Sequence, residues 1–367
     1  MTSFHFRFAL PIVVACTAAT ALLFSQEAGD KQAKAKGNSL IRPLADVEND
    51  LKGKIDRIKV HGKSLEGNLE GDSADREVFV YLPPSYAREQ GRRYPVVYLL
   101  HGYGLRAEQW VGFLNVASAE KNVAAGTAKE MILVMPDAYS LFNGSMYSNS
   151  VTTGDWEGFL TDDLVSYVDT HYRTLADRIS RGLAGHSMGG YGTMRLGMKH
   201  PEVFSSLYAM SSCCLTANLN PNPEQFAALQ AAKTPQEAKT NRGATVQMAS
   251  AAAWSPNAKN PPFFVDLPVK DGKVQPEVVA KWAANAPLAM IDQYVPNLKK
   301  YKAIALDVGL QDGLLATNQK MDALLTQAGV SHSFETYEGD HNSKVAVRFD
   351  TRVLPFFSNQ LSFKGGK

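Results

Sequence analysis

Short, uniformly apolar runs alternate along this chain with stretches whose apolar residues recur at helical spacing. Residues 55–60 and 77–82 alternate apolar with polar and sit close together, which predicts two antiparallel strands. Residues 96–100 (VVYLL) and 131–135 (MILVM) carry no polar position at all, the pattern of strands covered on both faces. Further strands are predicted at 179–184, 206–210, 304–308 and 333–337. Between them, residues 161–173 place Leu164, Val165, Val168 and Tyr172 on one helical face, with Thr161 as the expected N-cap and Asp162 and Asp163 in the first turn. Helices are also expected over 188–200, stopped by Pro201, and over 318–328, stopped by Gly329. Two antiparallel strands followed by alternating strand and helix imply an α/β fold, a mostly parallel central sheet with helices on both faces.

One stretch departs from this rhythm. Residues 215–298 contain no strand-like run and many Ala, Asn, Pro and Gln. A structureless loop of that length is uncommon, so a largely helical cap insertion above the sheet is expected.

The N-terminus reads differently again. One Arg precedes an apolar run from Phe8 to Phe24, and the chain turns polar at Ser25, the layout of an export signal. The expected organisation is a signal peptide at 1–27, a polar linker at 28–51 and one domain at 52–363. The protein is therefore expected outside the cytoplasm, periplasmic or secreted. Cys16 lies in a box resembling a lipoprotein cleavage site, but the apolar run continues beyond it where a polar tether belongs. Apart from this run, no segment reaches the length of a membrane span.

Composition narrows the function classes. The 367 residues are 45% hydrophobic and 20% charged, which disfavours disorder and coiled coil. The formal charge is +2, so there is no basic surplus to neutralise phosphates and nucleic acid is not an expected partner. Cys213 and Cys214 are adjacent; a bridge between them would close a strained ring, and they read as two small buried hydrophobes after a strand. No HExxH or paired CxxC is present, so neither a metal nor another cofactor is indicated.

The chemistry concentrates in Gly185-His186-Ser187-Met188-Gly189, between a short strand and a helix. A serine hydroxyl is a weak nucleophile unless it is exposed, rigid and within reach of a base. A sharp strand-to-helix turn lifts it above the sheet, and glycines two residues to either side tolerate the crowding. Of the eight histidines, position selects one. His5 lies in the leader, His61 in the hairpin region, and His171 and His200 at helix ends. His101 and His186 belong to turn motifs, and His332 begins a strand at the wrong edge. His341 falls just past the last strand, at the same edge as Ser187. The acid that orients it should follow the strand at 304–308, which selects Asp312, with Asp307 inside that strand as the alternative. The order Ser187, Asp312, His341 is that of the α/β hydrolases. Backbone N–H groups of Met188 and of Tyr103, in the His101-Gly102-Tyr103-Gly104 turn, are the expected oxyanion donors. Tyr147, Trp156 and Trp254, with Phe263 and Phe264, are candidates for a substrate pocket, with packing in the core or the cap as the commoner role for such residues.

Gly102-x-Gly104-x-x-Ala107 after a strand also fits a dinucleotide fingerprint, which would make the protein a nucleotide-binding oxidoreductase. That reading leaves Ser187, Asp312 and His341 without a purpose and is set aside.

Taken together, YPVVYLLHGYG, Met-Pro-Asp at 135–137, WEGFL at 156–160, GHSMGGYGTM, GLQDGLL and Gly339-Asp340-His341 resemble the putative-esterase family of α/β hydrolases over residues 76–357. That family includes S-formylglutathione hydrolase (esterase D), feruloyl and acetyl-xylan carbohydrate esterases, and mycolyltransferases. The resemblance implies a serine esterase working through an acyl-enzyme on a small-molecule or carbohydrate-linked ester. Acyl transfer and S-formylglutathione-type thioester hydrolysis are the alternatives on the same fold. The insertion at 215–298 is where the chain looks least like the family, and the oligomeric state is left open.

Overall fold

The structure, a computed structural model, describes residues 44–364 apart from 115, 240 and 241. The expected signal peptide, Cys16 and most of the expected linker lie outside the described residues.

Eight strands form the central sheet: β1 (Lys54–His61), β2 (Asp75–Leu82), β3 (Val96–Leu100), β4 (Ile132–Pro136), β5 (Arg181–His186), β6 (Ser206–Met210), β7 (Ala303–Gly309) and β8 (Ser333–Tyr337). Their order is β1-β2-β4-β3-β5-β6-β7-β8. The first two pair antiparallel, β2 joins β4 antiparallel, and every later pairing is parallel. This is the mostly parallel α/β architecture expected from the pattern of apolar runs, and the α/β-hydrolase fold that the resemblance implies. The all-apolar β3 shows why such runs occur. Val96, Tyr98 and Leu100 belong to the core on one face and Val97 and Leu99 to the core on the other. Helices Met188–Lys199, Pro287–Leu298 and Leu315–Gln327 cover the first face; Ala107–Leu114, Ala117–Ala124 and Leu354–Gln360 cover the second.

Two local expectations need correction. The polar linker does not extend to residue 51: Leu44–Asp50 is a helix, and Val47 is fully buried in the core of the second face with Leu51 against it. Two apolar residues four apart suffice to dock a short helix, which a reading based on its polar majority overlooks. The helix expected to start at Thr161 starts at Trp156, where the Asp155 carboxylate accepts the Gly158 N–H at 2.8 Å. It passes through a π turn, Phe159–Asp163, into Leu164–His171. Thr161 lies inside it and its hydroxyl donates back to the Glu157 carbonyl at 2.8 Å.

Among the described residues of 215–298 there are five helices: Pro223–Ala231, Pro235–Ala238, Arg242–Trp254, Pro276–Ala284 and Pro287–Leu298. Four of them begin on the proline that opens the range. Proline at the first helical position has a preset φ and forfeits no hydrogen bond, which explains a segment both proline-rich and helical. A two-stranded hairpin, Val269–Lys270 with Lys273–Val274, interrupts the helices around an Asp271-Gly272 turn with positive φ at both residues.

Candidate active site

The site is built at the carboxyl edge of the parallel strands. β5 runs into Ser187, whose φ of 59° and ψ of −114° make it an uncommon conformation for a residue with a side chain, and the helix Met188–Lys199 begins directly after it. The neighbouring glycines are required by close approach. A Cβ on Gly185 would run into the backbone of Gly189, and one on Gly189 into the carbonyl of Leu100. With no side chains there, the helix start seats against β3 and Ser187 projects above the sheet edge.

His341 lies in the loop after β8. Its Nε2 is 2.9 Å from Ser187 Oγ and its Nδ1 is 2.8 Å from Asp312 Oδ2. Asp312 follows β7, is buried, and uses its other oxygen to accept the Leu314 N–H at 2.9 Å. Burial alone would push the Asp312 carboxyl up. The hydrogen bond and charge of His341, with the Leu314 N–H, outweigh it and hold the group below its ordinary range. An ionised Asp312 fixes the proton of His341 on Nδ1 and leaves Nε2 free to accept from Ser187. The structure thus brings together Ser187, Asp312 and His341, residues far apart in sequence. Asp307 lies elsewhere: fully buried inside β7, it is bonded to Arg348 Nε and Tyr208 OH, each at 2.8 Å.

The loop bearing His341 is held by its own turn. Asp340 accepts the N–H groups of Asn342 and Ser343 at 2.9 and 2.8 Å, and Gln311 N–H donates to the Gly339 carbonyl at 3.0 Å. A further hold comes from His186, read from sequence only as part of a turn. Its Nε2–H donates to the His341 carbonyl at 2.8 Å, with the two rings 4.7 Å apart. Burial, then the nearby His341, lowers its pKa to about 3, so this imidazole stays neutral and keeps that single donor. A histidine flanking a serine carries no sequence signal for a bond to a residue 155 positions away.

The loop expected to supply an oxyanion donor adjoins the serine: a Cβ on Gly102 would lie 3.5 Å from Ser187 Cβ. Two histidine contacts and a phenol pin it. His101 is fully buried, donates from Nδ1 to the Gly102 carbonyl at 2.9 Å and accepts the Ala138 N–H at Nε2 at 2.8 Å. Tyr103 OH donates to the Phe142 carbonyl at 2.8 Å. Met188 opens the helix after Ser187 and is fully buried.

Of the aromatic pocket candidates, Tyr147, Trp156 and Trp254 take the packing role that was the commoner expectation. Tyr147 is fully buried with its hydroxyl on the His101 carbonyl at 2.9 Å. Trp156 is buried against Phe159 and under Arg76, its Nε1 donating to the Thr153 carbonyl. Trp254 packs between Tyr191 and Trp282 and donates to Ser148 Oγ at 3.3 Å. All three are packing residues; aromatic identity alone does not separate a pocket wall from a core. Phe263 lines a cavity of about 870 Å³ within the 215–298 segment, with Leu229, Met248 and Val278. Phe264 is half-buried at a positive φ of 55°.

Beneath the site, Glu157 receives Arg195 Nε and Nη2 at 3.0 and 2.8 Å, and Lys199 also donates to it. Burial opposes ionisation there, but His200, Arg195 and Lys199 more than compensate and hold the carboxyl far below its ordinary range.

Comparison with known proteins gives a consistent family. The model of the family described as Putative esterase matches residues 73–349. An esterase of Mycobacterium tuberculosis (strain H37Rv) is 36% identical over 134 residues, 35% of this chain and 27% of that protein. An endo-1,4-beta-xylanase/feruloyl esterase of Xylanibacter ruminicola is 35% identical over 131 residues, 34% of this chain and 18% of that protein. The chain therefore matches only about a quarter or less of the length of these relatives. Among solved structures, a ferulic acid esterase superimposes with a TM-score of 0.62 at 23% identity, over 85% of this chain and 100% of its own. An S-formylglutathione hydrolase from Staphylococcus aureus gives 0.53 at 16% identity, over 84% and 99%. At these identities the structural likeness concerns the fold alone.

Proposed function

The chain belongs to the family described as Putative esterase, and from that membership we propose that it is an exported serine carboxylic ester hydrolase acting through an acyl-enzyme. The observation that supports this most is the line Asp312 Oδ2, His341 Nδ1 and Nε2, Ser187 Oγ, with steps of 2.8 and 2.9 Å. In this reading His341 Nε2 takes the Ser187 proton as Oγ attacks the ester carbonyl, and Asp312 stabilises the imidazolium that results. The N–H groups of Tyr103 and Met188 hold the oxyanion. His341 then protonates the departing alcohol, and a water deprotonated by the same nitrogen releases the acid.

The substrate class we propose is a carbohydrate-linked feruloyl or acetyl ester. It is supported by the family, by the relative named as a feruloyl esterase and by an apolar leader run at Phe8–Phe24 suited to export. The proposed organisation is a leader at 1–27 and one hydrolase domain with its cap at about 215–298. A panel of feruloyl, acetyl and long-chain esters tests the reading. Ser187→Ala is expected to lower kcat by about 10⁴-fold or more while the protein stays folded. A variant keeping a tenth of the wild-type rate refutes Ser187 as nucleophile.

A further inference from the structure

Directly behind the nucleophile lies a pair of thiols that the reaction above does not use. The segment leaving β6 carries Ser211, Ser212, Cys213 and Cys214 past the serine turn, and the Cys213 N–H donates to the Ser187 carbonyl at 3.1 Å. Its backbone is fixed before any sulfur chemistry. Ser211 N–H donates to the Asp307 carbonyl at 2.7 Å, and the fully buried Asn318 clamps Ser212 through both its N–H and its carbonyl, at 3.2 and 3.0 Å. Ser211 and Cys214 hold positive φ values of 42° and 58°, a conformation residues with side chains adopt rarely and mostly where the surroundings impose it. The outcome of this clamp is that Cys213 Sγ and Cys214 Sγ sit 2.7 Å apart. A sulfur–sulfur bond is about 2.0 Å long, so closing it needs a movement of under about 1 Å.

We propose that Cys213 and Cys214 are a reversible disulfide site, oxidised by thiol–disulfide exchange, on the segment that holds the Ser187 carbonyl. Contact with Cys214, then burial, pushes the Cys213 thiol up, so the exchange begins at Cys214. The Cys214 thiolate attacks a small disulfide R–S–S–R, giving a mixed disulfide and RS⁻. Cys213 then gives up its proton and displaces the second RS⁻. In sum, two thiols and one R–S–S–R become the Cys213–Cys214 bond and two R–SH, the two electrons passing to the small disulfide. Adjacent Cα atoms are about 3.8 Å apart, shorter than the 4.4 Å or so that unstrained disulfides span. A bond of this kind is readily reduced, as a switch requires and a permanent staple does not.

The test uses the full chain with Cys16→Ser, treated with excess oxidised glutathione and compared with the protein reduced by dithiothreitol. The tryptic peptide spanning 200–233, which holds both cysteines, is expected to lose about 2 Da, reversibly. Cys214→Ser is expected to show no such loss. A peptide whose mass is unchanged overturns the site.

Discussion

Replacing Asp312 by Asn tests the arrangement more sharply than deleting any part of it, because shape is kept and only the direction of one proton changes. Asp312 Oδ1 accepts the Leu314 N–H and Oδ2 accepts from His341 Nδ1, at 2.9 and 2.8 Å. An asparagine must place its one oxygen toward Leu314, since the opposite orientation sets NH₂ against N–H in a buried site. Its NH₂ then faces Nδ1 and donates to it. The imidazole is forced to carry its proton on Nε2, the nitrogen 2.9 Å from Ser187 Oγ, and can no longer accept from the hydroxyl. Loss of the correct tautomer costs about 10⁴-fold in kcat, or about 5.5 kcal/mol of transition-state stabilisation. KM should change little, because no substrate contact is altered. Initial rates on a chromogenic acetyl ester, with thermal melting as the control for folding, make the measurement. A D312N protein with more than a tenth of the wild-type kcat and an intact fold would show that Asp312 does not set the tautomer.

Two further outcomes follow from packing and charge. Glu157→Gln leaves the buried Arg195 without its countercharge and is expected to cost about 3 kcal/mol, read as a fall of roughly 5–10 °C in Tm. Because the folded-state pKa of Glu157 is depressed, its contribution is complete above the unfolded value of about 4.3 and is lost as pH falls below it. The wild-type Tm should therefore drop more steeply than that of E157Q between about pH 5 and pH 3, and parallel curves would refute the assignment. Gly189→Ala drives a methyl into the Leu100 carbonyl and should destabilise by about 3 kcal/mol or more, whereas Gly313→Ala, with nothing near its added carbon, should stay within about 0.5 kcal/mol. Equal denaturant midpoints for the two would contradict the close approach at the serine turn.

Much of the architecture was legible because it depends on local pattern. Strands buried on both faces must be apolar throughout, and VVYLL and MILVM could hardly be anything else. The site candidates were legible for a related reason: in a parallel sheet, residues just past strand ends share one edge whatever their separation in sequence. That rule selected positions 187, 312 and 341, and the structure places His341 within hydrogen-bonding distance of both Ser187 and Asp312. What escaped depends on partners distant in the chain. For Tyr147, Trp156 and Trp254 packing and pocket lining both stayed open, because nothing in their identity reveals what covers them. The helix at Leu44–Asp50 was hidden by its polar majority, and its docking rests on Val47. The clamp of Asn318 on Ser212 joins residues 106 positions apart, and no periodicity announces such a bond.

The bond from His186 to the carbonyl of His341 has a mechanical consequence. The residue preceding Ser187 grips the backbone of His341, so the proposed nucleophile and base ride on one bracket. Substitutions in the 215–298 segment, which holds neither residue, are expected to leave the 2.9 Å step from Nε2 to Oγ unstretched.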